Sequence, residues 1–226
     1  MEDKITRREL IRMMLVGGAA GLVAGVAWLA AQRRALLSSC DLESLGLVRR
    51  AEWGAREPNT TSSDERAPYN PLTNPGGWLV YDQPLTAALD RVVVHHSALP
   101  VSEGPREIQD LHMDRRGFGD VGYHFLVDET GTLYEGRDLG VRGAHTAGAN
   151  TGAVGVVLLG NFEEISPSDA QVASLGRLLR CLAARYPLQN LAGHRDFNPG
   201  ATLCPGESLA ALLPELARSV GLRFGI

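Results

Sequence analysis

The chain has 226 residues, 44% hydrophobic and 21% charged, with a net charge of −4. That length is ample for one domain with a real core and too short for two large ones. With no basic excess to meet phosphates, nucleic acid is not expected as a partner. Residues 13–31 carry no charge, and as a helix they would span roughly 28 Å, about the thickness of a bilayer core. Thr6-Arg7-Arg8-Glu9-Leu10-Ile11 precedes them and resembles a twin-arginine export signal. Lys4, Arg7, Arg8 and Arg12 lie before the apolar run, and Arg33 and Arg34 follow it. This bias orients the N-terminus inward and sends the remainder outward. No Ala-x-Ala site closes the run, which favours an uncleaved anchor. Leu37-Ser38-Ser39-Cys40 resembles a lipoprotein box, although Arg33 and Arg34 interrupt the apolar stretch ahead of it. The expected division is therefore 1–39, signal or anchor with a short linker, and 40–226, the folded domain.

Arg49-Arg50-Ala51-Glu52-Trp53-Gly54-Ala55 opens that domain. Residues 56–90 are rich in Pro, Asn, Thr and Asp, with Trp78-Leu79-Val80-Tyr81 the one strand-like run, and so long an excursion is often functional or partly disordered. It leads directly into the next strand. Val92-Val93-Val94-His95-His96 reads as a buried β-branched strand ending in histidine. Ser102 is positioned to cap a helix running to about Arg116, with Ile108, Leu111 and Arg115 on one face and His112 beside them. Tyr123 to Asp128 and Thr132 to Glu135 alternate around Asp128-Glu129-Thr130-Gly131, a hairpin signal. Val154 to Leu159 has the continuous apolar character of a central strand. Ser166-Pro167-Ser168-Asp169 reads as a helix start capped by Ser166, and Val172, Leu175, Leu178, Leu179, Leu182 and Tyr186 continue the period until Pro187. Cys181 on that helix reads as packing. Leu209, Leu212, Leu213 and Leu216 mark a last helix, kinked or restarted at Pro214. Strands alternating with helices imply an α/β domain with a mixed central β-sheet flanked by helices.

Between these elements lie the thirteen residues His194 to Gly206, a loop pinned by Pro199, Gly200, Pro205 and Gly206. Restricted backbone at such residues holds side chains ten positions apart in fixed relation. Imidazole nitrogen and thiolate sulfur suit zinc, so His194 and Cys204 are a candidate ligand pair. A third ligand is available upstream at His95 or His96, between which the residues do not choose.

Seven motifs then stand in order: Arg50-Ala51-Glu52-Trp53-Gly54-Ala55, Val94-His95-His96-Ser97, Asp120-Val121-Gly122-Tyr123-His124-Phe125, Tyr134-Glu135-Gly136-Arg137, Gly143-Ala144-His145-Thr146, Gly160-Asn161-Phe162, and the His194–Gly206 loop. Together they resemble the peptidoglycan recognition protein family, related to the phage-type zinc amidases, over roughly residues 47–220. The resemblance implies a sheet flanked by helices with a groove for a peptidoglycan stem peptide. It assigns zinc to His95, His194 and Cys204, leaving one position open, as a hydrolase requires. Non-catalytic members commonly have serine where Cys204 stands.

By the same resemblance Tyr123 and Thr202 are catalytic, although phage-type relatives carry lysine at the Thr202 position. His96, His112, Arg116, Gly117, Phe118, His145 and Asn150 are implied substrate contacts. Gly117-Phe118 mixes the pairs associated with diaminopimelate and lysine peptides and assigns neither preference. Nothing near Ser97 could form the cysteine pair of animal relatives. The expectation is a monomeric, exported zinc-dependent N-acetylmuramoyl-L-alanine amidase, held at the outer face of the cytoplasmic membrane or placed in the periplasm or cell wall. Its partners are peptidoglycan and muropeptides, with the membrane engaged through 13–31. The rival readings are a binding or sensing module that does not cut, and a zinc peptidase acting on another amide.

Overall fold

A computed structural model describes residues 41–62 and 77–226, all within the unit Asp41–Ile226. The expected membrane span at 13–31, Cys40 and residues 63–76 of the long excursion lie outside the described residues. Among the described residues no helix is long and apolar enough to cross a membrane.

In chain order the elements are α1 (Leu85–Ala88), β1 (Arg91–His96), α2 (Pro105–Asp110), β2 (Phe125–Val127), β3 (Leu133–Glu135), β4 (Ala153–Leu158), α3 (Asp169–Arg185), β5 (Asn190–Gly193), α4 (His194–Phe197), α5 (Glu207–Ala210), α6 (Leu213–Val220) and β6 (Arg223–Phe224). The strands form one mixed sheet in the order β3-β2-β4-β1-β5-β6. Only β2 and β3 pair antiparallel, across the hairpin expected at Asp128–Gly131. Asp128 closes that turn, its Oδ1 accepting from the backbone N–H of Thr130 and Thr132. β1 and β4 lie at the centre, which is why both read as unbroken apolar runs.

Strand alternation sorts the core into two clusters. Val92, Val94, Val154, Val156 and Leu158 pack with Leu175, Leu178, Leu179 and Leu182 of α3 and with Leu209 and Leu213. Across the sheet, Val157, Leu126 and Leu159 pack with Ile108 of α2, Val121 and Tyr123. The second cluster is smaller, and its face carries the site.

Several local expectations are corrected. α2 begins at Pro105, not beyond Ser102, because proline fixes the first helical φ and Glu107 Oε2 accepts from the Gly104 N–H at 2.9 Å. It continues as a π-helical turn, Leu111–Arg115. The cap of α3 is Ser168 and not Ser166. Ser168 Oγ accepts from the Gln171 N–H, and Gln171 Oε1 accepts from the Ser168 N–H, a reciprocal pair that Ser166 cannot make. Trp78–Tyr81 contributes only an isolated bridge, Val80 to Val141. Cys181 is fully buried and disulfide-bonded, so packing alone does not describe it. The 49–55 segment docks on the edge strand β3: Trp53 Nε1 donates to the Glu135 carbonyl and the Arg50 N–H to the Glu135 carboxylate.

Candidate functional site

His95 lies at the C-terminal end of β1, opposite Val157 of β4. It shares a face with Val157 and Tyr123, whereas His96 follows Val94 and Leu158 onto the opposite face. There the His96 ring lies 6.3 Å from that of Phe162, and its Nδ1 accepts from the Phe162 N–H. Strand parity therefore makes the choice between the two histidines. His194 opens α4, directly after β5, which pairs with β1, and the His194 and His95 ring centroids are 4.8 Å apart.

The loop that follows returns Cys204 to the same point. The Arg195 N–H donates to the Cys204 carbonyl at 2.8 Å, and the Cys204 N–H donates to Thr202 Oγ1 at 3.1 Å. Ligand atoms of His95, His194 and Cys204 all lie within 4.8 Å of one another. Cys204 Sγ is 3.4 Å from His95 Nδ1. Cys204 is the free cysteine of the described residues. Burial pushes its thiol up to about 12, against the help of the His96 backbone N–H. Burial also lowers His95 and His194, and the neighbouring imidazoles add to this at His95. Neutral imidazoles and a thiol, converging with two of the three side chains buried, fit a soft or borderline metal ion, which takes nitrogen lone pairs and a thiolate.

Tyr123 stands over this cluster, its ring 5.1 Å from that of His95 and 5.4 Å from that of His112. Burial raises its hydroxyl well above the usual phenol range, with Cys204 adding and Arg116 opposing. The hydroxyl is therefore protonated at neutral pH and is a donor. The π-helical turn directs His112 inward, where its Nδ1 accepts from the Gly122 N–H at 2.9 Å. Burial, with Arg116 and Arg137 nearby, lowers His112 to about 3, so it is uncharged. Arg116 is exposed at the end of the turn, and its charge is felt at His112, Tyr123 and His194. Gly117 turns the chain with φ +67°, and Phe118 lays its ring 5.3 Å from His112.

Two further expected contacts lie against and behind His95. His145 is only 8% exposed and sits behind His95, with Nδ1 3.0 Å from His95 Nε2. Asn150 is buried, its Oδ1 accepting from the backbone N–H groups of His145 and Thr146. The structure thus brings together His95, His194, Cys204, Tyr123, Thr202, His112, Arg116, Gly117, Phe118 and His145, whose ring lies 4.9 Å from that of His95 and 6.2 Å from that of Tyr123, and places His96 on the opposite face of the sheet and Asn150 behind His145. Thr146 was not singled out from the sequence, although it completes the Gly143–Thr146 motif. Its Oγ1 lies 2.9 Å from His145 Nδ1 and 3.3 Å from His95 Nε2.

Fold and centre together define a mixed α/β domain with a largely buried two-histidine, one-cysteine cluster that could hold a metal ion beside a protonated tyrosine. The family model described as N-acetylmuramoyl-L-alanine amidase (Amidase_2) matches residues 85–207, and the chain belongs to this family and to the peptidoglycan recognition proteins related to it. It is 31% identical over 179 residues to peptidoglycan-recognition protein SD of Drosophila simulans, covering 75% of this chain and 84% of that one. Among solved structures it resembles the N-acetylmuramoyl-L-alanine amidase LysC from Clostridium intestinale, with a TM-score of 0.56, 29% identity and coverage of 64% of this chain and 95% of that one. It also resembles human PGRP-IBETAC in complex with glycosamyl muramyl pentapeptide, with a TM-score of 0.59, 28% identity and coverage of 75% and 94%.

Proposed function

We propose that this protein is a zinc-dependent N-acetylmuramoyl-L-alanine amidase that hydrolyses the amide between N-acetylmuramic acid and L-alanine in peptidoglycan. The observation that carries the reading is the convergence of His95, His194 and Cys204 donor atoms within 4.8 Å under the Tyr123 hydroxyl. The thiol supports an enzyme over a module that only binds, since binding sugar and peptide needs no thiolate ligand. The amidase LysC and the human protein holding a muramyl pentapeptide support the substrate class.

His95, His194 and Cys204 would hold the ion, and when bound it supplies Lewis acidity toward the amide carbonyl and acidifies a water. Tyr123, held protonated by burial, donates a hydrogen bond to the carbonyl oxygen as negative charge develops there. Thr202 Oγ1 accepts from the Cys204 N–H, which leaves its own proton free to donate toward the same oxygen. Arg116 meets a carboxylate of the stem peptide, and Gly117 and Phe118 border the groove beside it. Export fits the disulfide at Cys181, since disulfides persist outside the reducing cytosol. Residues 13–31 would then hold the domain at the outer face of the cytoplasmic membrane, with fractionation and N-terminal sequencing as the check.

The test is digestion of purified muropeptides with and without chelator, with products identified by mass. Free stem peptide beginning in L-alanine, lost on chelation and in Cys204→Ser, is the expected result. Cleavage by Cys204→Ser at the wild-type rate would overturn the metal mechanism. Retained muropeptide binding without any cleavage would make the protein a binding module, and cleavage within the peptide would make it a peptidase.

A further inference from the structure

The reading of His95 as a metal ligand places a demand on its other ring nitrogen. Nδ1 faces Cys204 Sγ and must offer a lone pair to an ion, so the proton of the neutral ring has to sit on Nε2. A buried N–H without an acceptor is costly. The acceptor in reach is His145 Nδ1 at 3.0 Å, with Thr146 Oγ1 at 3.3 Å. The His145 ring meets that of His95 nearly edge-on, at 78° and 4.9 Å between centroids.

Three features fix the His145 ring where it is. Its backbone and that of Thr146 are both clamped by Asn150 Oδ1, at 2.9 and 2.7 Å. Its far edge lies on the backbone of β4 at Gly155, where an added Cβ would come within 2.3 Å of His145 Cδ2. The other wall is Gly143, where an added Cβ would come within 2.5 Å of the same atom. Its Nε2 has no hydrogen-bond partner among the described residues, so the ring's polar engagement is on the Nδ1 side, toward His95 and Thr146; with Nδ1 accepting, the His145 proton sits unpaired on Nε2, a cost that the ion's bond to His95 has to offset. The engaged nitrogen is thus turned to the back of His95.

We propose that His145 is a positioning residue: by accepting the His95 Nε2 proton, it holds His95 in the tautomer whose Nδ1 is free for metal. The inference rests on the zinc reading given above. Thr146 and Asn150 serve the same end by orienting His145. Outer partners of this kind typically change metal affinity by about 10–100-fold when removed.

The test uses two nearly isosteric replacements in the full chain. His145→Asn retains an acceptor oxygen near the place of Nδ1, and His145→Leu does not. Zinc affinity is measured by competition with a chromophoric chelator, and the fold by circular dichroism of the metal-free proteins. His145→Leu should bind zinc about 10–100-fold more weakly, while His145→Asn stays close to wild type. In zinc-loaded wild type, ¹⁵N–¹H correlation of the imidazoles should show His95 protonated on Nε2 and His145 bare at Nδ1. Equal zinc affinity in His145→Leu and wild type, or equal loss in both variants with the fold intact, would overturn the proposal. A proton on His145 Nδ1 in the loaded wild type would overturn it even if both variants failed to fold. A wild type that binds no zinc would instead remove the metal reading beneath it.

Discussion

Tyr123 is the residue whose chemistry is most sharply set by its surroundings. Buried against His95 and His112, it keeps its proton, so its contribution to an amidase is donation and not base catalysis. Tyr123→Phe should lower kcat by roughly 10²–10³, the usual loss for one preorganised donor, with zinc affinity and muropeptide KM little changed. A rise in KM at constant kcat would show that the hydroxyl acts in binding instead. His124, one residue on, carries no catalytic role but sets an acid limit. Its Nδ1 accepts from the Gly155 N–H, and its Nε2 pairs with the Val141 carbonyl, so a second proton has nowhere to go. Burial lowers it to about 4 from 6.5. Above pH 6.5 folded and unfolded chains are both neutral there and the stabilisation is complete. As pH falls toward 4 only the unfolded chain takes up the proton, and stability declines by an amount on the order of 3 kcal/mol. Urea unfolding of metal-free His124→Asn should start lower at pH 7 and fall less steeply between pH 6.5 and 4 than wild type. The two adjacent histidines of β1 illustrate what the sequence holds and hides at this scale. Period-two alternation put His95 and His96 on opposite faces, yet only the fold reveals which face carries Tyr123.

At the level of elements, hydrophobic period and turn chemistry were sufficient for β1, the β2–β3 hairpin, β4 and α3. The starts of α2 and α3 are displaced because a serine stands just ahead of each true cap, Ser102 before Gly104 and Ser166 before Ser168, and the choice depends on which side chain reaches back. Glu107 decides the first and Gln171 the second. The π-helical turn that directs His112 inward has no period of its own, since it interrupts a helix whose residues otherwise read normally. His145 and Asn150 belong to a Gly-rich segment without periodicity, so nothing local shows that the His145 ring lies against the back of His95. The α3 cap can be tested apart from the site. Ser168 Oγ accepts from the Gln171 N–H and donates to the Glu129 carbonyl, joining the helix to the hairpin. Ser168→Ala should cost about 1–2 kcal/mol in urea unfolding and leave zinc affinity unaltered. A variant as stable as wild type would mean that water replaces the cap at no cost.

Taken whole, the molecule gathers its candidate ligands from distant parts of the chain. His95 lies on the central strand, and His194 and Cys204 lie on the segment after β5; His95 and Cys204 are 109 positions apart. The unfolded chain has no such preformed cluster, so an ion that binds here binds the folded state and stabilises it by mass action. At a free zinc concentration near 1,000 times Kd the gain is about 4 kcal/mol. For a domain of this size each kcal/mol raises Tm by about 2–4 °C, so zinc should raise the wild-type Tm by roughly 8–16 °C over the chelated protein. Cys204→Ser should lose most of that increment, because a neutral hydroxyl replaces a thiolate. Its chelated Tm should nevertheless lie near that of chelated wild type, since the serine occupies the same recess. Scanning calorimetry of both proteins, with and without zinc, separates the two effects. An increment as large in Cys204→Ser as in wild type would move the metal away from Cys204, and no increment in either would leave the cluster a packed corner of the fold.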